Sequence, residues 1–242
     1  MPAGFSTEIY KSYTTAVSKL GTLMDAPDGG RFRFALNGSV ALAAGRVVQA
    51  MVPIAAHLSC AVQAAAPAGA YTVSLTLGAA AVVANEYADG YLNINDGGAD
   101  VTTEGYLYRI KSHPAAGSGG VLVVTLYEDC PVRIALTTNS KGSLYHNPFY
   151  GTIIHPSPPT SRVVGVTRCA VPANNYYWAQ TKGPASVLTE GALLLGDQVV
   201  ASATLDGAVA PSAAAETDGP HLGQPMQVNL TTEESLIYLT IE

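Results

Sequence analysis

Four oxygen-bearing side chains, Asn93, Asn95, Asp96 and Asp100, bunch around Gly97-Gly98. A flexible loop rich in oxygen ligands is what a hard cation such as calcium requires. Their spacing departs from the twelve-residue calcium loop, which closes on a bidentate acid, so the stretch reads as an Asp-Gly turn and no metal is expected. The five histidines, His57, His113, His146, His155 and His221, include no pair four residues apart on a helix. His146 and His155 lie in a proline-rich stretch without nearby cysteines, which excludes a zinc site by ligand spacing. A hydrolytic serine would sit on a strained Gly-x-Ser-x-Gly elbow, and the chain contains none. Glu128-Asp129 offers two carboxylates at a strand end, but adjacent strand residues face opposite sides and cannot flank one glycosidic bond. The sequence therefore predicts no enzyme and no cofactor.

The remaining residues with binding potential are aromatic. Tyr145, Phe149 and Tyr150 bracket Asn147-Pro148, and Tyr176, Tyr177 and Trp178 run together, which puts rings on both faces of one strand. One face must be core, and the other is available to a neighbour, because large amphipathic rings dominate interface energetics. Subunit contacts are accordingly expected at Tyr177, or at Tyr176 with Trp178. Carbohydrate stacking is the competing functional reading, and ordinary core packing the simplest one. Phe5, Ile9 and Tyr13 continue with Ala16, Val17 and Leu20 at roughly helical spacing before the turn-forming Asp25 to Gly30. Residues 1–30 thus read as a short helix or an arm, reaching either an adjacent protein or its own domain.

Composition narrows the classes. At 242 residues the chain can bury a sizeable core without disulfides or metals. Charged residues make up 12%, against about 25% in ordinary soluble domains, and interface cores are depleted in charge, so oligomerisation is favoured. The net charge is −6, with 12 lysines and arginines scattered singly, which argues against direct nucleic-acid binding. The longest apolar stretch, Val40 to Ala56, is interrupted by Arg46, Gln49 and Pro53, so neither a signal peptide nor a membrane span is expected. Cys60, Cys130 and Cys169 are odd in number and unpaired in spacing, which suits a reducing cytoplasm.

From Arg31 the period becomes two. Phe32, Phe34 and Leu36 alternate with Arg33 and Ala35, and Asn37-Gly38 is expected to turn a hairpin. Tyr71 to Leu77 alternates strictly, giving one buried and one wet face. Further strands are expected at Val47–Ile54, Leu58–Ala64, Tyr91–Ile94, Tyr106–Lys111, Val121–Tyr127 and Val132–Thr137, with turns at Pro67–Gly69, Asp96–Gly98 and Pro114–Gly120. Prolines in His155 to Ser161 force an extended chain and mark a boundary, and the Ala- and Pro-rich tract Ala208 to Pro220 reads as a surface loop. From Val163 to Val209 short apolar strands separated by glycines form a meander. The pattern predicts an all-β chain: an antiparallel β-sandwich of jelly-roll type over 31–155, then a smaller β-meander or barrel unit over 156–242.

The aromatic strand ending in Gln180-Thr181-Lys182-Gly183-Pro184-Ala185, followed by Gly191 and Gly196-Asp197, resembles the closing segments of tailed-phage capsid decoration, or cement, proteins. Gly223-Gln224-Pro225-Met226-Gln227-Val228, then Thr231-Thr232-Glu233 and the strand Leu236 to Ile241, extends that resemblance over roughly the last eighty to ninety residues. It implies a trimeric β-rich subunit made in the host cytoplasm. It would sit on the capsid outer surface, bind the major capsid protein without catalysis, and contact neither membrane nor nucleic acid. A receptor- or glycan-binding β-domain of a tail or spike is the alternative.

Overall fold

The computed structural model of the chain describes residues 7–98, 101–212 and 219–242. The regular structure among these residues is almost all antiparallel β, and helix is confined to single 3-10 turns such as Glu8–Tyr10. Two compact units emerge, residues 1–52 with 148–242, and residues 53–147.

Unit 1 begins with β1 (Ser12–Tyr13), β2 (Leu23–Asp25), β3 (Arg31–Leu36) and β4 (Val47–Gln49). The chain then enters unit 2, which holds β5 (Cys60–Val62), β6 (Thr72–Thr76), β7 (Tyr91–Asp96), β8 (Leu107–Ser112), β9 (Val121–Leu126) and β10 (Lys141–Tyr145). It returns to unit 1 through β11 (Ile153–Ile154), β12 (Val163–Val166), β13 (Tyr176–Leu188), β14 (Val199–Ala201), β15 (Val209–Pro211), β16 (Gly223–Gln227) and β17 (Glu234–Thr240). The departing strand β4 and the returning strand β11 pair directly, Gln49 opposite Ile153 and Val48 opposite Ile154.

Unit 2 is a closed six-stranded barrel in the order β10-β5-β6-β9-β8-β7. Alternation decides its inside: Val73 and Leu75, Leu92 and Ile94, Tyr108 and Ile110, and Leu122, Val124 and Leu126 all point inward and are buried. Closure removes exposed strand edges, which suits a chain with little surface charge to guard them. Unit 1 is an eleven-stranded sheet with the path β11-β4-β12-β13-β17-β16-β14-β15, while β1 and β3 also pair with β13 and β2 pairs with β3. Its centre is β13, whose first half pairs with β3 and whose second half pairs with β17.

The change of partner is built by the Gln-x-x-Gly-Pro-Ala sequence. Gln180 is fully buried, and its Nε2 donates to the carbonyls of Lys182 and Pro184, both at 3.0 Å, across the bulge. Gly183 takes φ 88°, and a Cβ there would lie 2.8 Å from the Gly29 carbonyl, so only glycine fits.

One local device recurs in both units. An apolar residue is followed three positions later by a left-handed residue, and a strand starts soon after: Leu42 and Gly45 (φ 68°), Ala66 and Gly69 (87°), Ala116 and Gly119 (67°), Val171 and Asn174 (59°). The apolar residues meet in reciprocal backbone pairs, Leu42 with Val171, Ala66 with Leu136 and Val82 with Ala116, each joined by two N–H to carbonyl bonds of 2.8 to 3.0 Å. Each pair ties two turns together where the ladders stop.

Several expectations change. The division at 155/156 falls inside unit 1, because Gln49 of β4 grips the proline-rich segment: its Oε1 accepts from the Thr160 and Ser161 N–H groups and its Nε2 donates to Thr160 Oγ1. The barrel is the middle of the chain, not its end, and residues 156–242 share a body with residues 1–52. Residues 7–30 form no regular α-helix but a 3-10 turn and two short strands, β1 docking on β13 with Tyr13 opposite Tyr176. Asn37-Gly38 turns no hairpin; the Asn37 side chain is buried and donates to the carbonyls of Val40 and Pro172, which stabilises the connection instead. Val132–Thr137 is a turn-rich segment carrying the Leu136 bridge, and the tract 208–220 contains β15.

Candidate functional site

The aromatic residues singled out from sequence are brought together, but mostly inward. Ile9, Tyr177 and Trp178 are buried, and Tyr13 and Tyr176 are partly exposed, while Phe5 and Asp100 lie outside the described residues. Phe34 organises them: its ring stacks on Tyr176 at 5.5 Å, meets Trp178 edge-on at 5.0 Å and tilts against Tyr13 at 6.3 Å. Tyr177, on the other face of β13, bonds its hydroxyl to Thr152 Oγ1 at 2.9 Å, and burial pushes its ionisation far up. Tyr13 donates to Glu8, and burial followed by that bond pushes its phenol up to about 12. The expected contact surface at Ile9, Tyr177 and Trp178 is therefore interior, because the segment ahead of β2 folds back over β3 and β13. Ring size alone could not distinguish the two outcomes.

Two further regions of unit 1 carry polar groups. Around Arg168 a cleft of about 330 Å³ is lined by Tyr10, Thr167, Ser186, Glu234 and Leu236. Arg168 sits over the Tyr10 ring at 5.5 Å and donates to the Pro184 carbonyl at 3.0 Å and to Asp28 at 3.4 Å. Tyr10 remains 57% exposed, so an open aromatic ring borders carboxylate and hydroxyl groups. Elsewhere Ser157 donates to Asp206, and Ser202 and Thr204 donate to Glu190. These carboxylates are engaged by hydroxyl groups of neighbouring loops and hold turns in place.

Unit 2 contains a compact polar cluster that the sequence did not reveal. Tyr87, fully buried, is surrounded by His57, His113 and His146, with ring separations of 5.6, 5.9 and 4.2 Å. Its hydroxyl bonds His57 Nδ1 at 2.6 Å, and its backbone N–H donates to His113 Nε2 at 2.9 Å. His146 Nε2 donates to Glu86 at 3.2 Å; burial lowers the proton affinity of this imidazole, and Glu86 opposes that shift. Four separated loops supply these groups, so no spacing rule could have gathered them. The imidazoles are consumed by internal bonds and none is presented to a substrate.

The outer wall of the barrel is different. On β6 and β9 the outward side chains are Thr72, Ser74, Thr76, Val121, Val123 and Thr125, with Ser74 opposite Val123 and Thr76 opposite Val121. Ala61 of β5 extends the same face beside Thr76. Val121 and Val123 are 46% and 39% exposed. No charged side chain lies on these three strands; charge borders them on both sides, on β8, where Arg109 pairs with Asp89 and Lys111 with Glu128, and on β10, where Lys141 stands opposite Ala61 and pairs with Asp96. The one signal in the sequence is the unbroken run Val121-Leu122-Val123-Val124, where strict alternation would have placed polar residues outside.

Among the described residues no group of three or more histidine, cysteine, aspartate or glutamate side chains is arranged to hold a metal ion. Asp96 pairs with Lys141 at 2.7 Å and accepts the Gly98 N–H at 2.8 Å, and these two contacts, Lys141 foremost, hold its carboxyl below the usual range. No described helix is long and apolar enough to cross a membrane. No family model, curated protein or solved structure matches this chain.

Proposed function

We propose that this chain is a structural subunit of a tailed-phage particle, a homotrimeric decoration protein bound to the major capsid protein on the outside of the shell. The observation that carries this reading is the uncharged, partly apolar wall of β5, β6 and β9. Water-exposed sheet faces normally carry charge, and charge is what contact surfaces lose. The resemblance of the C-terminal motifs points the same way. The rest of the chain supplies stiffness: a closed barrel, reciprocal turn pairs and buried amides that fix the loops.

Mechanically, such a subunit works by area. A stable contact needs on the order of 1,200–2,000 Å² in total, and weak contacts repeated over a lattice gain strength through avidity. The test uses particles lacking this chain and purified chain added back. We expect add-back to raise the temperature of DNA release, light scattering to give a trimer, and Val123→Glu to abolish rebinding while the variant stays folded. Add-back that neither binds nor changes release overturns the proposal.

The exposed Tyr10 ring beside Arg168, Ser186 and Glu234 supports a second reading, a glycan-binding β-domain, since sugars stack on aromatic rings and bond to carboxylates. Saccharide binding that is lost in Tyr10→Ala, by a chain that ignores capsids, would select it.

A further inference from the structure

The segment 79–90 of unit 2 is tied to the barrel at its ends by the Val82–Ala116 pair and by the backbone bonds of Asp89 and Gly90 with Ile110, and between them through histidines. The Asn85 N–H donates to the His113 carbonyl at 3.0 Å, the His113 N–H returns to Asn85 Oδ1 at 3.1 Å, and the Tyr87 N–H donates to His113 Nε2 at 2.9 Å. His113 Nδ1 donates to the Pro114 carbonyl at 2.8 Å, which fixes the tautomer: the proton is on Nδ1 and Nε2 is an acceptor. His57 is fixed likewise, with Nε2 donating to the Ala80 carbonyl at 3.2 Å and Nδ1 accepting from the Tyr87 hydroxyl. Asn85 and Asp89 occupy left-handed φ of 62° and 59°, which asparagine and aspartate accept more readily than other side-chain-bearing residues. Gly90 passes so near the Tyr145 carbonyl that a Cβ would approach it to 2.4 Å.

We propose that this cluster is an acid-released latch: at neutral pH the imidazoles clamp Tyr87 and hold segment 79–90 closed, and proton uptake by the histidines frees it. His113 makes the latch directional. A second proton on its ring converts Nε2 into a donor facing the Tyr87 backbone N–H, which cannot turn round to accept. The Tyr87 hydroxyl can turn its hydrogen away and accept from a proton on His57 Nδ1, so that contact can be kept. The groups facing the cluster are Glu86, Tyr87 and the three histidines themselves; Asp89 turns its carboxylate to Arg109 and Tyr127.

The sign follows from the buried state. Burial lowers the proton affinity of His146 in the closed form, so the opened form binds more protons below the ordinary histidine value of about 6.5. Closure is fully stable above that pH and weakens as pH falls. Each histidine that gains its proton only on opening makes opening roughly tenfold more favourable per pH unit.

Amide exchange of the full chain, corrected for intrinsic rates, tests the latch between pH 7.0 and 5.5. Protection of 79–90 is expected to fall at least tenfold relative to Val121–Leu126. His113→Gln keeps a side-chain acceptor that takes no proton at these pH values, and should shrink the acid loss of protection of 79–90 to the part that His146 alone contributes. Histidine ring resonances of the wild-type chain supply a reading that needs no variant, with His146 remaining neutral until the segment opens. Flat protection in the wild-type chain, His146 protonating while 79–90 stays protected, or equal acid sensitivity in His113→Gln would each overturn the inference.

Discussion

Replacing Gln49 by methionine tests whether the polar interior of unit 1 is structural. The side chain is fully buried in β4 and makes three bonds to one loop: Nε2 to Thr160 Oγ1 at 2.8 Å, and Oε1 from the N–H groups of Thr160 and Ser161 at 3.0 and 3.2 Å. Methionine has nearly the same length, so the cavity contribution is small and the lost bonds dominate. At about 0.5–1.5 kcal/mol net for each bond, the variant should lose about 1.5–4.5 kcal/mol. For a body of this size that lowers the melting midpoint by roughly 3–18 °C. The assay is built into the chain, because Trp178 is its one tryptophan and lies in unit 1, so its fluorescence follows that body. Thr160→Val removes the shared hydroxyl, and the double variant should show a coupling of about 1 kcal/mol. A Gln49→Met chain within 0.5 kcal/mol of wild type, or strict additivity with Thr160→Val, would refute the claim that this amide pins the proline-rich segment to the sheet.

Two further outcomes follow from the topology and the buried phenols. Because β4 and β11 pair with each other, replacing residues 53–147 by a short glycine-serine turn should leave unit 1 folded, with a cooperative Trp178 transition; an unfolded product would show that the barrel is required for the sheet. On alkaline titration, Tyr13 and Tyr177 should ionise only as the chain unfolds, since burial raises both. Their contribution to stability is complete below the free-phenol value of about 10 and is lost as pH rises above it. Phenolate absorbance that climbs for every tyrosine while the near-ultraviolet dichroism persists would contradict this.

The strand content was legible because alternation is local. Tyr71 to Leu77 became β6 at Thr72–Thr76, and Tyr91 to Ile94 became β7 at Tyr91–Asp96, since inward Val, Leu and Ile every second residue admit one register. The turn at Asp96 to Gly98 was equally local, a carboxylate capping the N–H two residues on. Domain organisation was not legible. Prolines at 156–159 announce an extended chain, but distant partners, Gln49 on β4 and Asp206, decide that this chain lies in unit 1. The same holds for the aromatic run: the sequence shows that Tyr176 and Tyr177 must face opposite ways, while the fold-back of the N-terminal strands decides that both faces are covered at least in part. The histidine cluster is the extreme case, drawn from positions 57, 113 and 146 on separate loops around a tyrosine. Nearest-neighbour chemistry sets which residues form strands and turns; barrel closure and strand exchange across long sequence separations decide which side chains meet, because those contacts are chosen by packing and by the need to satisfy buried polar groups.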